Sequence, residues 1–209
     1  MANLIFDWLG ARAEPYAAAP TLTFSLRVSE TTGAAIHAIA LRCQIRIEPA
    51  KRRYSAEEAA RLADLFGDVS RWADTLKPIQ FTTVSTVVTS FTGTTDVDLT
   101  VPCTYDLEVA ATRYFAGLDN DAVPLLMLFS GTVFSKGPGG ISVEPVPWSA
   151  ECTLRMPVSV WRDLVDRYFP GSGWIRLSRT TLDALGAVKS REAYPTWDAT
   201  VDALLARKP

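Results

Sequence analysis

One histidine, His37, and three cysteines, Cys43, Cys103 and Cys152, are the residues that could ligate a transition metal or act as base and nucleophile near neutral pH. Their spacing supports neither chemistry. No Cys-x-x-Cys pair occurs, so no local zinc framework is written into the chain. His37 has no Cys, Asp or Glu cluster beside it and reads as structural. Each cysteine sits in an apolar-alternating run, on the side that also carries Leu41, Val101 or Leu154. That is the setting of a small buried hydrophobe. An odd number of widely separated, reduced thiols fits a reducing compartment, and the cytoplasm is the expected location.

Other candidate motifs fail on their flanks. Gly137-Pro138-Gly139-Gly140 lacks the Gly-Lys-Ser ending and following helix of a phosphate loop, and reads as a hairpin turn. Ser130-Gly131 has no glycine two residues before the serine, so it is not a nucleophile elbow. Asp96, Asp98, Asp106 and Glu108 share the polar side of one alternating run, where solvation keeps carboxylates ordinary acids. No catalytic residue, metal ligand or cofactor site is therefore assigned, and no cofactor is expected. Binding residues are easier to nominate. Lys51-Arg52-Arg53 is a basic cluster suited to an anion or an acidic partner. Trp148, Trp161 and Trp174 belong to an aromatic-rich last third that could line a peptide groove. The basic stretch Arg42–Arg53 and the acidic run also admit a plainer reading, two neighbouring strands whose polar faces neutralise each other. A formal net charge of -2 argues against a nucleic-acid partner.

The elements that must position these residues are mostly strands. Thr21–Ser29 alternates with Leu22, Phe24, Leu26 and Val28 inward, and 36–48 alternates with Ile39, Leu41, Cys43, Ile45 and Ile47 inward. With a Thr-Thr-Gly turn between them, they read as a hairpin, with a bulge near His37 where Ile36 falls out of phase. Val97–Val109 is the longest alternation, with Pro102 marking an edge or bulge. Further strands are expected at 79–91, at 123–135, either covered on both faces or bulged at Gly131, and within 141–156. Asp119-Asn120-Asp121 reads as a hairpin turn. Ser55-Ala56-Glu57-Glu58 is a capping box that opens a helix over 55–66, closed by Gly67. Helical spacing returns at about 158–169, 178–190 and 196–207. Leu4–Leu9 reads as a short docking turn and 11–20 as an Ala/Pro linker.

The class expected is α+β: a mainly antiparallel sheet (sandwich or SecB-like) of about six long strands, one inserted helix and C-terminal helices. The 209 residues read as a single domain. Within it, 1–20 is an extension, 21–156 a β-rich core with a helical insertion at 55–76, and 157–209 a helical region packing on the sheet. A signal peptide is not expected from the opening residues, and no apolar run is long enough to span a membrane.

Two resemblances attach to particular residues. Tyr105-Asp106-Leu107-Glu108-Val109, the strand Val123–Phe134, helix 158–169, Phe169-Pro170, Trp174-Ile175-Arg176-Leu177 and Leu182-Asp183-Ala184-Leu185 succeed one another as in the SecB chaperone family. That resemblance implies long antiparallel strands and holdase activity, although 21–76 has no counterpart there. Arg52–Tyr54, Leu65-Phe66-Gly67, Arg71-Trp72 and Leu128–Phe134 resemble an uncharacterised bacterial family, a domain of unknown function. Its members are often encoded beside NiFe hydrogenase genes, which implies a supporting role near that enzyme and supplies no site residues. The expected function is a non-catalytic accessory or chaperone-like protein that binds another polypeptide, with a hydrogenase component as one partner and a homo-oligomer left open. An enzyme or small-ligand binder using an apolar sheet cavity is the alternative, and a structural subunit of a larger complex the second.

Overall fold

The computed structural model describes residues 2–103, 109–137, 140–171 and 177–207. The chain divides into two compact units, Met1–Pro170 and Gly171–Pro209. The first is an antiparallel β-sandwich with helices. β1 (Leu4–Ala13), β2 (Thr21–Glu30) and β5 (Thr94–Pro102) make a three-stranded sheet in the order β1-β2-β5. β4 (Ile79–Val88), β3 (Ile36–Ile47), β6 (Ala122–Gly137) and β7 (Gly140–Pro145) follow one another in the second sheet. β8 (Glu151–Pro157) pairs with the first half of β6 and β7 with its second half. The α+β class and antiparallel pairing thus hold, with eight strands and six α-helices among the described residues.

The core follows from the alternation. Leu22, Phe24, Leu26 and Val28 of β2 face Ile39, Leu41, Cys43, Ile45 and Ile47 of β3, all essentially buried, and Phe6 of β1 stacks on Phe129 of β6 at 4.0 Å. Burial pushes the Cys43 and Cys103 thiols up to about 12, so they remain protonated hydrophobes. The bulge expected near His37 is present as a register shift between Ile36 and Ala38. β6 pairs with β7 out to Gly137↔Gly140, as a hairpin turn there requires.

The helical insertion is α1 (Ala56–Phe66) with a short α2 (Trp72–Thr75). Ser55 and Glu58 close the capping box in both directions. α3 (Val109–Gly117) packs along α1 and reaches β4, where Phe115 meets Phe81, a residue left unpaired by a bulge in the β3–β4 ladder. α4 (Val158–Tyr168) packs on β1, β2 and β8. The second unit is a helical hairpin of α5 (Arg179–Arg191) and α6 (Trp197–Ala206), begun by Ser178 and Thr196 caps.

Several expectations are corrected. Residues 4–13 form a strand and not a docking turn and linker, because their inward residues Leu4 and Phe6 complete the sheet beside β2. β2 and β3 are not a hairpin: β2 pairs with β1 and β5, β3 with β4 and β6, so the turn between them carries the chain from one sheet to the other. The long alternation ends as strand at Pro102, which can donate no ladder hydrogen bond, and from Val109 the chain is helical. Its segment 104–108 lies outside the described residues. Asp119–Asp121 joins a helix to a strand and is not a hairpin turn.

Candidate functional site

The basic cluster nominated from sequence separates on folding. Arg52 is buried and donates Nη1 and Nη2 to the two carboxylate oxygens of Glu58 at 2.8 and 2.7 Å. Nη2 also donates to the Asn120 carbonyl, and the guanidinium lies 5.0 Å from the Tyr54 ring centre. Glu58 in turn accepts from the Ser55 and Asp119 backbone N–H groups. The Arg52 bond, supported by those amides, outweighs desolvation and lowers Glu58 to about 2. Tyr54 and Tyr114 share a hydroxyl hydrogen bond of 2.7 Å, and burial raises both phenols. The cluster clamps the α1 start to the β6 approach. It is structural, so Arg52 is not presented to a partner, and only Lys51 and Arg53 of the trio are exposed.

The tryptophans separate likewise. Trp161 is buried and stacks on Phe115 at 4.6 Å, so it holds α4 to α3 and does not line a surface groove. Trp174 lies outside the described residues. Trp148 is 97% exposed, in the turn that joins β7 to β8.

The acidic run finds its cations within its own sheet. Arg27 makes a two-pronged bond to Asp96 (2.8 and 3.0 Å), and Arg12 bonds Asp98 at 2.8 Å, with Ser25 bridging. Asp96 and Asp98 lie below the ordinary carboxylate range through these bonds. Arg42 and Arg46, the neutralising neighbours expected, stand on the other sheet. The charges on the outer face of the three-stranded sheet are therefore paired within it, beside the exposed Ile5 and Leu9 of β1.

The outer face of the five-stranded sheet differs. Successive rows across β4-β3-β6 and then β7 or β8 are Val87–Ala40–Thr132–Pro145, Ser85–Arg42–Ser130 and Thr83–Gln44–Leu128–Glu151. Beside the first lies Ala38–Phe134–Val143, then Lys136–Ile141. β7 reverses the usual alternation. Its apolar Ile141 and Val143 are each 61% exposed, whereas Ser142 and Glu144 sit half-buried on the inner side, where Glu144 accepts from the Ala2 N–H. The pairing Phe134↔Val143 fixes that orientation, because a one-residue slip would exchange the faces. Val87, exposed to 65%, extends the apolar strip to the far edge. Arg42 stands at the centre of the face, beside a depression of about 290 Å³ lined with Gln44, Thr83, Leu128 and Ser130. Sequence reasoning missed Ile141, Val143, Val87 and Arg42. Alternation reports two faces, and only the register reports which one is wet.

Among the described residues no group of three or more His, Cys, Asp or Glu is placed to hold a metal ion, and no helix is long and apolar enough to cross a membrane.

Residues 1–209 match the model of a family described as a family of unknown function (DUF6084). No curated protein matches the chain. A crystal structure of Se-Met labeled β-glucosidase from Kluyveromyces marxianus is similar at 8% identity and a TM-score of 0.29. The similarity covers 74% of this chain and 15% of that one. A likeness of that size carries no inference about fold or activity.

Proposed function

The chain belongs to DUF6084, a family of unknown function, and from that premise we propose a non-catalytic accessory or chaperone-like protein that binds another polypeptide on the open face of its five-stranded sheet. One observation carries this reading: β7 turns Ile141 and Val143 out and Ser142 and Glu144 in. A strand with one solvated face ordinarily does the opposite, since burying the apolar side is what stabilises it. Apolar side chains held outward on an edge strand have a use when another chain covers them. Trp148, in the turn that follows β7, supplies an aromatic anchor of the kind that dominates interface energetics.

A NiFe hydrogenase structural or accessory subunit, implied by the family resemblance, is the first partner to seek. The tagged chain would be purified from its own host beside the double variant Ile141→Asp/Val143→Asp. We expect a protein partner with the wild type and its loss with the variant, whose circular dichroism stays unchanged because both positions are exposed. Recovery of no partner, or of one indifferent to the variant, would overturn the reading. Native mass spectrometry of the same sample reports whether the covering chain is a second copy.

A further inference from the structure

The two outer sheet faces handle charge differently, and the difference defines what would fit. On the three-stranded sheet each central arginine has a carboxylate: Arg27 has Asp96 and Arg12 has Asp98. On the five-stranded sheet Arg42 is exposed and makes no ion pair among the described residues, where Arg46 meets only the Gln44 amide oxygen, at 3.2 Å. Arg42 is flanked along its row by the hydroxyls of Ser85 and Ser130. Glu151 stands two strands away beyond Leu128, and Arg155, farther along β8 on the same face, is already paired with Asp121 at 3.5 Å. The apolar strip of Val87, Phe134 and Val143 begins in the row next to Arg42, while Arg46 lies two rows to the other side.

We propose that the polypeptide this face receives presents a segment whose sheet-facing side chains include both carboxylates, which pair with Arg42 and Arg46, and apolar groups, which cover Val87 and Val143. The inference rests on the reading of this face as the binding face and adds the partner's chemistry. Guanidinium groups with unused donors recognise carboxylates in a two-pronged geometry, and the depression beside Arg42 gives such a group room. A nucleic acid would need a broad basic surface and no apolar strip. An anionic membrane would need a denser cluster of cations than Arg42, Arg46, Lys136 and the Asp121-paired Arg155 supply.

Fluorescence anisotropy of the full chain tests this with two labelled peptides of identical apolar residues. One carries glutamate and the other lysine at the charged positions. The glutamate peptide is expected to bind, to weaken by about tenfold in Arg42→Glu/Arg46→Glu, and to be replaced in that variant by the lysine peptide. Failure of the glutamate peptide to bind, or indifference to the arginine variant, would overturn the inference. Binding to phosphatidylserine vesicles that the arginine variant abolishes, without peptide binding, would overturn it as well. Ile141→Asp/Val143→Asp in the same assay separates the two levels. If both peptides bind alike and both are lost in that variant, the acidic preference fails and the polypeptide-binding face stands. If peptide binding ignores that variant, the face itself is wrong.

Discussion

Glu58→Gln would leave the Arg52 guanidinium charged, buried and without its counter-ion. Breaking a buried pair from one side costs about 3–5 kcal/mol, because the remaining charge has lost its compensation. A fall of that size in urea-unfolding free energy is expected, whereas Lys51→Ala, at an exposed position, should change stability by under about 0.5 kcal/mol. Glu58 shares its acid behaviour with Glu30, also lowered to about 2. Burial opposes ionisation there, but the Thr32 hydroxyl and the backbone N–H groups of Thr32, Asn3 and Ala34 outweigh it. A carboxylate held below its unfolded value stabilises the fold above the ordinary range near 4.5, and that contribution disappears as pH falls through about 2. The urea midpoint should therefore drop steeply on acidifying below about pH 5, and less steeply in Glu30→Gln/Glu58→Gln. The capping role of Ser55 and Glu58 was legible because it lies within four residues. Arg52 as the partner of Glu58 was not, since a basic triplet read along the chain says nothing of which member turns inward.

Elements show the same division between local and distant signals. α1, α4, α5 and α6 lie within a residue or two of their expected bounds, because caps and helical spacing are local. β1 was hidden by the apolar Ile5 and Leu9 on its outer side and by the register shift between Trp8 and Gly10, although its neighbour β2 supplies the pairing that fixes it. α3 was hidden by the alternation running up to Val109. Register decided the candidate face, and Gly131 is where it is most exposed to a single change. This glycine has φ +134°, and a Cβ there would fall 2.0 Å from the Ala40 carbonyl oxygen. It sits where β6 passes from β8 to β7. Gly131→Ala should lower stability by at least about 2 kcal/mol, through strain and a backbone clash. Circular dichroism melting would measure it. Ser55→Ala, which removes only a cap, should cost about 1 kcal/mol.

At the scale of the molecule, Met1–Pro170 is a compact unit by itself, with a core of described residues that runs from Ala2 to Tyr168. A chain ending at Pro170 should therefore keep its β-sheet circular dichroism and unfold cooperatively; loss of either would show that the second unit is needed for folding. The α+β class and antiparallel pairing could be read from periodicity, but the assignment of strands to two sheets could not. That assignment rests on contacts between distant residues, and it sets the order in which the chain can fold. β3 needs β4 on one side and β6 on the other, and β6 comes from the far half of the described strands. Until residues 122–137 have left the ribosome, Ile39, Leu41, Ile45 and Ile47 have an open flank. Non-local pairing of this kind slows folding and prolongs the life of unpaired edges. The strand at the centre of the sheet thus makes the newborn chain itself dependent on shelter, for as long as its own middle remains unmade.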